Sequence, residues 1–379
     1  MVDQKLGELT PSPPKRIPEL DGLRGLAVIL VLLYHYVAVS IPADSTGSLQ
    51  VIRQLLSKNW SGVDLFFVLS GFLLGGVLID NRSAKNYFSV FYTRRISRIF
   101  PLYFFFLGTF VLLSQFAQRP GLFSASIFVN KLPLMSYLLY VQNFLMSLRG
   151  TFGNEFLAVT WSLAIEEHFY LLLPLVVWCS RPKRLPLNLL FLVSISLILR
   201  ATLASGSFSA FVLTPWRLDG LFLGALLALL VRTPMLRNLD KAWLTWIKLA
   251  CGVLFLYLLY CAMTQPLGSL NNILLFGVFY ATVIFLTLAE KTGVLAWIFR
   301  RGWLMNIGRI SYAIYLFHQM VNGLVHDLLF KTLPRFENLP TILATLLSVL
   351  LLYLLANGTY HSFEKKFIEL GHRLAYSRL

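Results

Sequence analysis

The chain has 379 residues, 57% of them hydrophobic and only 13% charged, with a mean hydropathy of +0.70. A soluble domain carries about a quarter charged residues, so a soluble globular fold is excluded, and apolar runs of about 18 to 24 residues recur from end to end, each long enough to cross a hydrocarbon core of ~30 Å. The net charge of +16 does not point to nucleic acid, because Lys and Arg sit in short loops between apolar runs, the distribution that sets membrane topology.

Residues 1–19, with Pro11, Pro13, Pro14 and Pro18, read as a flexible tail. The first apolar run is long and lacks a small-residue cleavage site, so it is expected to stay as an anchor. Ten spans follow from the hydropathy pattern: 24–42, 61–79, 99–117, 158–178, 186–203, 215–231, 243–263, 272–289, 307–330 and 339–360. With the N-terminus inside, cytoplasmic segments hold 21 Lys and Arg, outer segments 7 and the spans 5. That bias places both termini in the cytoplasm. The stretch 132–148 would invert the later loops if it crossed, so it is expected to lie in or re-enter the outer face. The fold class is therefore an all-α polytopic membrane protein, a bundle of about ten transmembrane helices plus a non-spanning outer helix. Residues 20–364 form the membrane domain and 365–379 a basic cytoplasmic tail. Cys179, Cys251 and Cys261 have no metal-site or disulfide spacing, and no metal is expected.

Several polar groups interrupt the apolar runs, and ionisable groups at that depth usually mark function. In "LDGLRGLAVILVLLYHY" Arg24 and His35 are eleven residues apart, close to three helical turns, which puts them on one face with His35 roughly 16 Å deeper. "GVDLFFVLSGFLL" carries Asp64. In "YTRRISRIFPLYFF" Arg95 and Arg98 project together from one end of a helix, a pairing suited to phosphate. In "TWSLAIEEHFYLLLPL" two adjacent acids, Glu166 and Glu167, lie beside His168 near the centre of a span. Glu167 and Tyr170 share a face, so Glu166 is expected to point elsewhere. Arg217 and Asp219 in "PWRLDGLFLGALLA" are expected to form a structural ion pair. "ISYAIYLFHQ" adds Tyr312 and His318. Each has a plainer reading: Arg24, Arg95 and Arg98 as topological charges, His35 as a hydrogen-bonded core histidine.

The pattern has a direction. Basic groups at the cytoplasmic side suit a phosphate-bearing donor, while His and Glu wait deeper, where a neutral His acts as base for an attacking hydroxyl and a carboxylate orients it.

In these residues the chain resembles the acyltransferase 3 family of membrane O-acyltransferases, from about residue 16 to 370. The carriers are "ELDGLRGLAVILVLLYHY", "GVDLFFVLSGFLL", "RRISRIFPLYFF", "TWSLAIEEHFYLLLP", "RLDGLFLGALLA", "ISYAIYLFHQ" and "FEKKFIELG", in that order. The resemblance implies that the family's Arg-then-His motif falls on Arg24 and His35, its Arg-x-x-Arg motif on Arg95 and Arg98, and its Glu-x-x-Tyr motif on Glu167 and Tyr170. It implies His35, Glu167 and Tyr170 as catalytic and Arg24, Arg95 and Arg98 as acyl-CoA-side residues. Position 168, commonly Gln in the family, is His here. Asp64, Glu166, His168, Tyr312 and His318 are further candidates for the site wall. These 379 residues contain no esterase-like domain of the kind some family members append, so the bundle is expected to bind its acceptor directly, with 118–157 contributing.

The expected function is transfer of an acyl group, acetyl by resemblance, from cytoplasmic acyl-CoA to a hydroxyl of a bacterial surface glycan at the cytoplasmic (inner) membrane. His35 would serve as base or transient acyl acceptor. Acyl-CoA is then a co-substrate rather than a bound cofactor, and the partners are the hydroxyl-bearing acceptor and membrane lipids. Two other readings stay open: acylation of a small lipophilic acceptor such as a macrolide, and a proton-coupled transporter whose relay is His35, Glu167 and His318.

Overall fold

The structure, a computed structural model, describes residues 17–117, 122–203, 207–233, 240–265 and 272–377. Among the described residues every regular element is helical. Ten principal helices run in chain order: α1 Pro18–Leu32, α2 Gly62–Asp80, α3 Tyr87–Phe116, α4 Thr160–Cys179, α5 Leu185–Leu203, α6 Leu218–Leu230, α7 Lys241–Thr264, α8 Ile273–Ala289, α9 Ser311–Phe330 and α10 Leu339–Thr359. Each of the ten expected segments falls on one of them. Seven helical stretches, those holding α1 to α5, α7 and α10, are long and apolar enough to cross a membrane, while α6 and α8 are shorter apolar helices. The flexible tail 1–19 lies outside the described residues up to position 16.

Three local departures from the expected pattern have physical causes. Helix α3 starts at Tyr87, twelve residues before its apolar core, because "YFSVFYTRR" is helical but too polar to register as a span. Residues 132–148 form two short helices, Leu134–Leu138 and Gln142–Arg149, interrupted at Tyr140 with φ of 56°. Neither is long enough to span. Helix α1 does not end at Leu32 but widens into a π-helical segment, Leu33–Ala38, in which Val39 N–H bonds the Tyr34 carbonyl five residues back. Such bulges inside α-helices are frequent at functional sites, and this one carries His35.

Close packing depends on small residues, as expected where lipid supplies no hydrophobic drive between helices. A Cβ on Gly71 would stand 1.8 Å from the Leu221 carbonyl oxygen, and one on Gly224 2.1 Å from that of Val68. Helices α2 and α6 therefore meet backbone to backbone. Gly308, just before α9, meets the Asp21 carbonyl of α1 in the same way, at 1.8 Å.

The ion pair expected between Arg217 and Asp219 is corrected. Arg217 Nη2 donates to Asp64 Oδ1 of α2 at 2.7 Å, and Asp219 takes both terminal nitrogens of Arg200 on α5 at 2.9 and 3.1 Å. Residues two apart do not face each other on a helix. Arg217 also stands just before α6 begins, so its side chain leaves in a different direction. Its guanidinium is fully buried, packed on the rings of Phe67, Trp161 and Phe211 at 5.5 to 5.7 Å.

Candidate active site

Helix α1 is the spine of the site. Arg24, in its first half, opens to one cavity, and His35, on the π-helical segment beyond, opens to another. The separation of eleven positions keeps the two apart along the axis by roughly 16 Å at a helical rise of about 1.5 Å per residue. Val63 of α2 and Tyr315 of α9 belong to both walls, so the cavities adjoin there.

The cavity on the Arg24 side holds about 90 Å³. Arg24, Arg95 and Arg98 reach it from α1 and α3, and Glu166, Tyr170 and Tyr312 also line it. Arg24 has a weak partner in Asp21 at 3.5 Å, and Arg95 and Arg98 have no salt bridge among the described residues. The described wall of this cavity carries three guanidinium groups and one carboxylate, an excess of positive charge suited to an anionic ligand. The carboxylate is Glu166. Its oxygens accept from Ser70 Oγ and Tyr170 Oη, each at 2.9 Å.

This corrects the register expected within α4. Tyr170 pairs with Glu166 at i, i+4 rather than with Glu167 at i, i+3; both spacings put side chains on one face, and the neighbouring helices decide between them. Glu167 lines neither cavity and takes no hydrogen bond among the described residues. His168 turns the other way, with Nδ1 2.7 Å from Thr214 Oγ1 and its ring against Phe144. Asp64 is held by Arg217 and lines neither cavity.

The cavity on the His35 side is larger, about 480 Å³. Tyr34, Trp60, Phe152, Phe156, Trp161 and Phe211 make it strongly aromatic. Glu155, Gln319 and Asn322 supply polar groups, and Asn322 Oδ1 is buried with no hydrogen bond among the described residues. A mostly apolar hollow with a few placed polar groups is the usual form of a small-molecule site. Phe152, Glu155 and Phe156 come from the long segment 118–157, of which 118–121 lie outside the described residues.

His35 and His318 meet behind this cavity. Their ring centres are 4.9 Å apart, with His35 Nδ1 3.2 Å from His318 Nε2. His35 Nδ1 is also 3.0 Å from the Val31 carbonyl oxygen, and His318 Nδ1 is 2.7 Å from that of Tyr315. His318 is fully buried and lines neither cavity. Tyr36 of the π-helical segment donates to the His318 carbonyl at 2.7 Å, tying α1 to α9 at this level.

Sequence reasoning missed Ser70, Ser162 and Tyr315. Ser162 Oγ and Tyr315 Oη lie 2.6 Å apart where the cavities adjoin. The signal was present for Tyr315, which stands one turn before His318 in "SYAIYLFH". It was present for Arg200 too, an arginine inside an apolar run that required an acid. No cluster of three or more metal-ligating side chains occurs among the described residues.

Comparison with known proteins gives a coherent result. The Acyltransferase domain family matches residues 17–357. The chain is 30% identical over 324 residues to proteins named O-acetyltransferase OatA from Staphylococcus aureus strains NCTC 8325 / PS 47 and N315, a match covering 80% of this chain and 50% of each relative. The chain thus spans about half the length of these curated relatives. No solved structure matches it.

Proposed function

The chain belongs to the acyltransferase family matched over residues 17–357, and on that premise we propose that it is a membrane O-acetyltransferase that moves acetyl from cytoplasmic acetyl-CoA to a hydroxyl of a bacterial surface glycan. The observation that carries the reading is the position of His35, on the wall of the aromatic cavity next to the point where the arginine cavity adjoins it.

With both chain termini in the cytoplasm, the arginine cavity faces the donor. Arg95 and Arg98 hold the phosphates of acetyl-CoA in bidentate fashion, and Arg24 draws the chain of the donor toward α9. Glu166 and Tyr170, fixed to each other and to Ser70, keep that wall polar and offset part of the arginine charge. The thioester reaches past Val63 and Tyr315. His35 takes the proton of the acceptor hydroxyl as its oxygen attacks the thioester carbonyl, and the CoA thiolate leaves with the carbon–sulfur electron pair. A positioned base of this kind contributes about 10²- to 10⁴-fold.

The aromatic cavity supports a glycan acceptor, because rings stack on the C–H faces of a sugar while Glu155, Gln319 and Asn322 meet its hydroxyls. The name O-acetyltransferase borne by the relatives supports acetyl as the group moved. The bacterial cytoplasmic membrane is the compartment in which acetyl-CoA and such an acceptor meet across one bundle.

The test uses the full chain in lipid nanodiscs with isotopically labelled acetyl-CoA, alongside cells with and without the protein. Label is expected on surface glycan, as an O-acetyl ester, in a His35-dependent way. Near-normal turnover in His35→Ala would overturn the role of His35. Label on a small lipophilic metabolite alone would replace the acceptor, and solute movement into liposomes without consumption of acetyl-CoA would replace the enzyme by a transporter.

A further inference from the structure

Two backbone carbonyls determine how the histidine pair is protonated. A carbonyl oxygen only accepts, so the nitrogen of His318 facing the Tyr315 oxygen at 2.7 Å, Nδ1, carries a proton. The same holds for His35 Nδ1 against the Val31 oxygen at 3.0 Å. A neutral imidazole has one N–H, which leaves His318 Nε2 with a lone pair. That atom lies 3.2 Å from His35 Nδ1. The proton on His35 Nδ1 is therefore shared between two acceptors, Val31 O and His318 Nε2. A doubly protonated His318 would instead aim its Nε2 proton at His35 Nδ1 and force the His35 lone pair against the Val31 oxygen.

The consequence falls on the far side of the His35 ring. With Nδ1 protonated, the lone pair of His35 is on Nε2, which takes no hydrogen bond among the described residues, on a ring that lines the 480 Å³ cavity. We propose that His318 is the positioning residue of the site, acting with the Val31 carbonyl as a second acceptor for the Nδ1 proton and so holding His35 in the tautomer and orientation in which its free Nε2 serves as the base. This rests on the reading of His35 as base given above.

The surroundings of His318 fit that task. Its ring is boxed by Tyr36, Tyr315 and His35, with ring centres 6.3, 5.9 and 4.9 Å away. Fully buried and absent from both cavity walls, it acts only through His35. When His35 takes the acceptor's proton, the lone pair of His318 still faces Nδ1 and steadies the imidazolium by a hydrogen bond to a charged donor. An uncharged imidazole thus occupies the place behind the base that carboxylates hold in other sites, without burying a second charge in the membrane.

The test separates this role from simple packing. Asn at 318 reproduces Nδ1 and keeps the Tyr315 contact but is too short to reach His35. Gln extends its amide oxygen to the position of Nε2. His318→Asn is expected to lower kcat by roughly 10- to 100-fold, less than the ~10²- to 10⁴-fold that the base itself contributes, with KM for acetyl-CoA little changed; His318→Gln is expected to recover a substantial part. Nitrogen-15 NMR of histidine-labelled wild-type protein in nanodiscs, with no substrate present, is expected to show His35 protonated at Nδ1 and bare at Nε2, and His318→Asn, which leaves the Val31 carbonyl as the one acceptor of that proton, is expected to shift the Nδ1 signal and raise the share of the other tautomer. A bare Nδ1 in wild-type His35 would overturn the proposal without touching the assignment of His35 as base, and so would equal kcat values for the Asn and Gln variants. Near-normal turnover in His35→Ala would remove the function reading instead, while leaving the tautomer measurement intact.

Discussion

The hydroxyl of Tyr170 donates to a carboxylate oxygen of Glu166 at 2.9 Å, four residues earlier on the same helix. Ser70 of the neighbouring helix α2 takes the other oxygen at the same distance, so this acid is fixed at both ends inside the arginine cavity. Glu167, adjacent in sequence, lines neither of the two cavities. The two carboxylates are therefore expected to respond differently to the same change. Glu166→Gln keeps the shape but weakens two charge-assisted hydrogen bonds, worth about 1.5–3 kcal/mol each. Turnover is expected to fall by roughly 10-fold or more, whereas Glu167→Gln is expected to stay within about threefold of wild type, in keeping with a side chain off both cavity walls. Steady-state rates with labelled acetyl-CoA check this; a larger loss in Glu167→Gln would restore Glu167 to the place its motif suggested.

That contrast also shows what the sequence contained. Spacing put Arg95 and Arg98 on one face of a helix, and the structure brings both to the cavity that Arg24 enters from another helix. Composition located the helices, since an apolar run in lipid has no other way to satisfy its backbone. Within α4 the sequence could not choose between Glu166 and Glu167, because i, i+3 and i, i+4 neighbours share a face and only Ser70, 96 residues away, breaks the tie. The partner of Arg217 was hidden for the same reason: Asp64 lies 153 positions off in the chain. The π-helical turn at His35 leaves no mark in hydropathy. The aromatic cavity gathers residues from positions 34 to 334, which no local window joins.

The arginines yield a second prediction. Arg95 and Arg98 have no salt-bridge partner among the described residues, so replacing either breaks no ion pair. Arg95→Ala and Arg98→Ala are expected to raise the KM for acetyl-CoA by about 10-fold or more, the value of a charged hydrogen bond, with modest change in kcat. Lys is expected to recover only part, since it brings charge without the planar fork. Initial rates over a range of acetyl-CoA concentrations decide it, and an unchanged KM in both Ala variants would return these residues to topological charges.

Close approach of α2 and α6 gives a third. A methyl group added at Gly71 would lie 1.8 Å from a backbone oxygen of Leu221, and a backbone cannot swing aside as a flexible side chain can. Gly71→Ala is expected to part the two helices and cost about 1–3 kcal/mol, the usual penalty of overpacking. Gly252→Ala on α7 meets nothing within 4 Å and is expected to be neutral or slightly stabilising. Thermal unfolding of the two variants in detergent, compared with wild type, tests the pair; equal melting temperatures would contradict the packing.

The last prediction concerns the buried pair Arg217 and Asp64, 2.7 Å apart, with side chains 0% and 3% exposed. Removing one partner strands the other charge in a region of low dielectric. Either Arg217→Leu or Asp64→Leu alone is therefore expected to destabilise by about 3–5 kcal/mol, or to prevent accumulation of folded protein. Replacing both removes the stranded charge along with the attraction, and such swaps are often neutral or even stabilising. The double variant is thus expected to be more stable than either single one, a coupling that independent sites do not show. Asp219 provides the control, because its partner is Arg200. Combining Arg217→Leu with Asp219→Leu leaves both Asp64 and Arg200 unpaired, so it is expected to be worse than either single change. Melting temperatures for the five variants distinguish the two pairings directly. Rescue of Arg217→Leu by Asp219→Leu rather than by Asp64→Leu would show that the partners are the ones adjacent in sequence after all.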